Sequence, residues 1–179
     1  MPVSINQIQS AFDLLFRSFF ERSFVKSLGL KTKTERQLLP LIRVGLLCYF
    51  KKEVIPEVEV ATSWTKSKKS RIDFKIEKTA VEFAVRNPGR SKANVSARSN
   101  QSEIKKLLKW KEGKSVLVLF DFSREPLPSN GFAEFRIHPS LGKGNHSKNA
   151  FTLLYFHIES LKPLEVSCHR KEIRRTSKA

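Results

Sequence analysis

Cysteine is nearly missing from this chain: Cys48 and Cys168 are the only two in 179 residues. They lie far apart, the first inside an apolar helical pattern, and make neither a zinc-ligand spacing nor a disulfide framework, which points to a reducing, cytoplasmic setting. No apolar run approaches the roughly 20 residues needed to cross a bilayer. Met1 to Ser10 carries no basic segment followed by an apolar block, so no signal peptide is expected. There is no Gly-x-Ser-x-Gly elbow and no P-loop, and Gly142-Lys143-Gly144 is too short to cradle a phosphate. His138, His146, His157 and His169 show no metal spacing with the cysteines and read as loop or strand residues. Acidic residues are also scarce, with 17 Asp and Glu against 34 Lys and Arg and a formal charge of +17. That imbalance implies a polyanionic partner, nucleic acid ahead of an anionic membrane surface. The membrane reading is weakened further because the first amphipathic segment has few basic residues before Lys26.

What is present suits one domain with a real core, residues 1–168, followed by a basic tail over 169–179 with Arg170, Arg174 and Arg175 as phosphate-gripping candidates. Ile5 to Leu28 reads as an amphipathic helix, with Ile8, Phe12, Leu15, Phe16, Phe19, Phe20 and Phe24 at three- and four-residue spacing. That Phe stripe either covers the body of its own domain or serves as a homo-oligomer surface. Thr34 is a plausible N-cap for a second helix running to Phe50, with Glu35 at its start and Pro40 tolerated in its first turns. Leu38, Leu39, Ile42, Leu46, Leu47 and Tyr49 would bury most of that helix's circumference.

Val54 to Val60 alternates as a strand. Arg71 to Ile76 and Thr79 to Arg86 alternate too, with Glu77-Lys78 between them, the pattern of a hairpin. An even-numbered loop sets Asp73 opposite Glu82, Arg71 opposite Ala84 and Lys75 opposite Ala80, and pairs Ile72 with Phe83 and Phe74 with Val81 on the other face. Two opposed carboxylates cost up to about 1 kcal/mol. Either a divalent cation or neighbouring Lys and Arg side chains offset that cost.

From Glu82 to Glu103 no acidic residue intervenes, while Arg86, Arg90, Lys92 and Arg98 are present; such a loop is either disordered or shaped for phosphates. A helix from Gln101 to Lys111 follows, carrying Lys105 and Lys106. Ser115 to Phe122 then reads as a strand buried on both faces. Hairpin, helix and buried strand are the grammar of an α/β sheet. Phe132 to His138 and Phe151 to Ile158 read as two more strands.

This order, a helix with an early Glu, a strand, a hairpin with Asp on one arm and Glu on the other, a helix and a buried strand, resembles the PD-(D/E)xK nuclease superfamily over roughly Thr34 to Phe122. The resemblance implies an α/β restriction-endonuclease-like core, a mixed central sheet flanked by helices, with an added N-terminal helix and C-terminal strands. It implies Mg²⁺ or Mn²⁺ held by Asp73 and Glu82, help from Glu35, and a nucleic-acid partner, DNA ahead of RNA. The sequence departs from the pattern where the motif lysine belongs, at Ala84. Arg71, Arg86 and Lys106 (or Lys105) are the candidate substitutes. Two states stay open: an active nuclease with a migrated basic residue, and a degenerate relative that binds nucleic acid without cutting it.

Overall fold

The computed structural model describes residues 2–21, 23, 33–61, 69–137 and 151–174. The fold is α/β, a six-stranded mixed sheet in the order β1-β2-β3-β4-β5-β6 with helices on both faces. The strands are β1 (Val54–Ala61), β2 (Lys69–Ile76), β3 (Thr79–Arg86), β4 (Ser115–Asp121), β5 (Phe151–Leu161) and β6 (Leu164–Ile173). β3, β4 and β5 run parallel at the centre, and antiparallel partners close both sides. The helices are α1 (Ile5–Ser18), α2 (Glu35–Phe50), α3 (Gln101–Lys109) and the short α4 (Glu134–Ile137).

α1 begins in a capping box, the Ser4 hydroxyl accepting from Gln7 N–H while the Gln7 side chain accepts from Ser4 N–H. It ends earlier than its Phe spacing implies. Ser18 Oγ donates back to Leu15 O at 2.7 Å and Phe20 N–H tightens onto Arg17 O, which closes the helix in a narrower turn. Phe12, Phe16 and Phe19 are buried against Phe120 and Phe122 of the sheet, so this part of the stripe covers its own domain. Phe24 lies outside the described residues.

α2 crosses beside α1 at Gly45, where a Cβ would stand 2.3 Å from a Leu15 methyl carbon. It buries only the stripe Leu38, Ile42 and Leu46; Val44 and Tyr49 are exposed. A single apolar stripe suffices because α2 touches the sheet on one side only. On the opposite sheet face, Ile104, Leu107 and Trp110 seat α3 over Ala80, Ala84, Leu117 and Leu119.

Two further expectations change. Within the stretch 132–138, the described residues 132–137 do not form a strand. They belong to a 3₁₀ turn (Ser129–Phe132) followed by α4, because Phe132 and Phe135, three residues apart, are the buried anchors; His138 lies outside the described residues. The basic tail does not start at His169, since His169 to Ile173 belong to β6 and pair with Phe151 to Tyr155. Residues 175–179, with Arg175, lie outside the described residues. No described helix is long and apolar enough to cross a membrane.

A candidate site of four carboxylates and a lysine

The β2–β3 hairpin pairs Ile76 with Thr79, Lys75 with Ala80 and Phe74 with Val81, and there the ladder stops. At the next step the Asp73 carboxylate accepts the Phe83 N–H at 2.8 Å, standing in for the missing backbone partner. Glu57 on β1, at φ 50°, sits at the same level. Before this level Val54, Phe74 and Ile76 pack under α1 and α2; after it Val60 and Ile72 pack on the α3 side. The ribbon therefore turns over at Asp73 and leaves β3, and Ile72 does not pair with Phe83. Arg71 consequently points away from Ala84 to Glu57 Oε2, at 2.8 Å, in an exposed pair.

β3 continues in register along β4, which holds Glu82 beside Leu117 at 0% exposure. Above it α3 is anchored by Ile104 and Leu107, and that rotation aims Lys106 at the cleft. Lys106 Nζ donates to Glu82 Oε2 at 2.7 Å and to Arg71 O at 2.9 Å. Asp73 and Glu82 lie within hydrogen-bonding reach of each other. Glu35, from the first turn of α2, and Glu103, from the first turn of α3, stand close enough to act electrostatically on the same group. The Gln37 side chain accepts from Thr34 N–H at 2.9 Å, and the Asn87 amide at the end of β3 donates to Lys33 O, so the start of α2 is tied to the sheet.

Four carboxyl groups around one ammonium cannot all ionise cheaply in a dry cleft. Burial, then the charges of Asp73 and Glu103, raise Glu82 well above the usual carboxylate range, and Lys106 does not reverse this. Burial also raises Asp73, although the Phe83 N–H, Lys106 and a hydrogen bond from Glu82 pull the other way. Glu35 is pushed up to about 7 by burial, Asp73 and Glu103. Burial alone would lower Lys106; the surrounding carboxylates outweigh it and hold the ammonium protonated.

Glu82 Oε1 is buried and has no hydrogen-bond partner among the described residues, a state that costs about 1–3 kcal/mol when nothing occupies the space. An orphaned carboxylate oxygen beside a second carboxylate fits a hard dication that takes oxygen ligands. Asp73 and Glu82 are the residues that would hold it. Among the described residues no group of three or more His, Cys, Asp or Glu is arranged as a ligand set, so water and substrate oxygens would complete the shell.

The other sequence candidates separate. Arg86 is 3% exposed and committed: Nη1 donates to Asp121 Oδ2 at 3.0 Å and to Glu125 O at 2.8 Å, and Nε to Arg90 O. Asp121 is its register partner on β4 and also accepts from Tyr155 Oη at 2.7 Å. Arg86 is thus a buried structural cation, not a phosphate grip. Arg90, Lys92 and Arg98 are exposed on the β3–α3 connection, which is folded around buried Val95 and Ala97. Lys92 reaches Glu125 at 3.6 Å. Lys105 is partly buried on α3, one residue off the cleft-facing position. Arg170 sits three strands from β3, with its guanidinium on Asn6 Oδ1 at 2.6 Å, and Arg174 is exposed just beyond β6.

Glu103 is the site residue that sequence reasoning missed. Its signal was its spacing to Lys106, i to i+3, beside the buried Ile104 and Leu107; an acid in a first helical turn reads more simply as a partner of the helix dipole. A cavity of about 770 Å³ at the ends of β3, β4 and β5, lined by Phe19, Phe122, Arg90, Arg124 and others, holds none of the four carboxylates. Searches of protein-family models, of curated proteins and of solved structures give no match to this chain, so its site stands on its own geometry.

Proposed function

We propose that this chain is a divalent-metal-dependent nuclease of the PD-(D/E)xK type, with Lys106 of α3 taking the place of the motif lysine. The observation that carries the proposal is the 2.7 Å contact of Lys106 Nζ with buried Glu82, where Ala84 of the motif position lies packed under α3. Asp73 and Glu82 are the ligands for Mg²⁺ or Mn²⁺. When bound, the ion supplies polarisation of the phosphoryl oxygen and a more acidic water. Lys106, cationic at neutral pH, orients the attacking oxygen and stabilises the negative charge that grows on the phosphoryl group. Glu35, with its carboxyl pushed up to about 7, exchanges a proton near neutrality at the edge of the same cluster. Arg90, Lys92 and Arg98 hold the phosphate backbone, an assignment supported by their exposure on the β3–α3 connection and by the overall charge of +17. DNA as the preferred substrate rests on the family resemblance alone. A cytoplasmic setting belongs to the same proposal and is supported by the free thiols of Cys48 and Cys168.

One observation favours the degenerate alternative: Lys106 already neutralises Glu82 directly, an arrangement that needs no ion. Purified protein incubated with plasmid, single-stranded DNA and RNA in Mg²⁺ or Mn²⁺ separates the two. Metal-dependent cleavage that disappears in Asp73→Asn and in Glu82→Gln is expected. Cleavage that survives both substitutions together removes the site from the reaction, and salt-sensitive binding without cleavage selects the non-catalytic reading.

A further inference from the structure

Away from the carboxylates, β5 and β6 bring two imidazoles together on one face. Tyr155 is the register partner of His169, and His157 of Ser167, so His157 and His169 are diagonal neighbours. Their Nε2 atoms lie 3.2 Å apart, with the rings nearly parallel at 6° and their centroids 5.2 Å apart. Tyr155 flanks His157 at 5.3 Å between centroids, and Phe132 flanks His169 at 5.5 Å, so aromatic walls fix both rings. His157 Nδ1 faces the Ile158 carbonyl oxygen at 3.4 Å. In the tautomer that donates Nδ1–H to that carbonyl, the Nε2 lone pair is directed at its neighbour, the arrangement found in ligating histidines. Glu159 Oε1 stands 3.5 Å from the same Nε2 on a half-exposed side chain.

We propose that His157 and His169 form a binding site for a borderline transition-metal dication of the Zn²⁺ class, with Glu159 and water completing its shell. The spacing suits it. With metal–nitrogen bonds of about 2.0–2.1 Å, two nitrogens 3.2 Å apart subtend about 100–105° at the ion, close to the tetrahedral angle. Imidazole nitrogen also selects this class over Mg²⁺, whereas the Asp73–Glu82 pair offers only hard oxygen. No three-ligand group is already assembled among the described residues, so Glu159 turns inward on binding, as its exposure allows. His157 is buried and His169 more open, which leaves an entry path from the β6 side. The competing account is a simple N–H···N hydrogen bond between two neutral rings, and it predicts no metal affinity.

The test is calorimetric titration of the full chain with Zn²⁺ at pH 7.5, with millimolar Mg²⁺ present to occupy the carboxylates. The expected result is Zn²⁺ binding at one site per chain. His169→Ala, on the more open ring, weakens that site at least tenfold with the circular dichroism unchanged, Glu159→Gln weakens it a few fold, and Asp73→Asn leaves it intact. Co²⁺ in place of Zn²⁺ gives a visible ligand-field spectrum that His169→Ala abolishes. No Zn²⁺ binding to the wild-type chain overturns the proposal. So does binding that His169→Ala leaves unchanged, or binding that Asp73→Asn removes. None of these results bears on nuclease activity, so the two proposals fail separately.

Discussion

At the scale of single residues, the proposed site turns on Lys106 standing in for a lysine at Ala84. Ala84 lies in the buried cluster with Ile104 and Leu107, so α3 occupies the room a lysine at 84 would need and offers its own lysine in return. If Lys106 supplies the active-site cation, Lys106→Ala lowers metal-dependent cleavage by about 10²–10³-fold, the usual loss for a group that stabilises developing charge. Ala84→Lys alone overpacks the α3 contact, costs about 1–3 kcal/mol in urea unfolding and gives no gain in rate. Added to Lys106→Ala, it recovers part of the lost rate, because the vacated volume admits the new side chain. A double variant as inactive as Lys106→Ala shows that a cation from β3 cannot replace one from α3. Arg86 behaves differently. Removing it leaves Asp121 buried without its charge partner, so Arg86→Ala lowers unfolding free energy by about 3–5 kcal/mol, read from the denaturation midpoint, and any loss of activity follows the loss of fold. The proximity of Asp73 and Glu82 was legible from alternation and hairpin counting, since an acid on each arm is a local signal; their reading as metal ligands came from the family resemblance. The roles of Arg71 and Arg86 were not legible, because each is set by a partner that alternation does not reveal: Glu57, after the ribbon turns over, and Asp121, 35 residues away.

At the scale of elements, the point where β2 leaves β3 creates the cleft, and Asp73 has two duties there. Its Oδ2 accepts the Phe83 N–H, and its charge faces Glu82, Glu103 and Glu35. Asp73→Asn keeps an acceptor and removes the charge; Asp73→Ala removes both. Urea unfolding should show Asp73→Ala less stable by about 1–3 kcal/mol, the cost of an unmade buried hydrogen bond, with Asp73→Asn close to wild type. Equal losses from both would mean that the Phe83 contact does not hold the strands at this point. The strands around this cleft were readable in sequence: β1 through β4 alternate or run apolar as strands do, and Lys75–Ala80 and Phe74–Val81 pair as hairpin counting requires. The ladder's end was not readable, because it depends on a positive-φ residue, Glu57, of ordinary composition. α4 was misread as a strand because five residues of alternation fit one helical turn equally well. The second half of β6, His169 to Ile173, was misread as a tail because an edge strand is rich in charged side chains, and charge alone resembles disorder.

At the scale of the whole molecule, a chain of +17 gathers carboxyl groups that are harder to ionise than usual in one cleft, and stability should carry that imprint. Glu35 is raised from 4.5 to about 7, and Glu82 and Asp73 are raised with it. A folded-state value above the unfolded one means that the folded chain holds protons the unfolded chain has already released. The stabilisation is therefore fully present below about pH 4.5 and is lost as pH rises through about 7. Glu59 and Glu77 are shifted down by Lys69 and Lys52 and act in the opposite sense, but both are screened surface pairs. Self-repulsion among the basic residues also destabilises the chain at low pH, so the comparison must be with a variant of the same charge background. Glu35→Gln supplies it. The variant should match or fall below wild type at pH 4.5 and gain steadily on it toward pH 8. Raising the Glu35 carboxyl from 4.5 to about 7 corresponds to roughly 3 kcal/mol at full weight and about 2 after discounting for partial exposure. If Asp73 and Glu82 hold Mg²⁺ or Mn²⁺ as proposed, the ion competes with protons of the same cluster, so its stabilisation of wild type should grow over the same interval and be larger at pH 8 than at pH 5.5. Thermal melts of both proteins, with and without 10-fold changes in metal, read the two effects together. A Glu35→Gln difference that is flat with pH would mean that Glu35 ionises as a surface carboxylate and stands outside the coupled cluster.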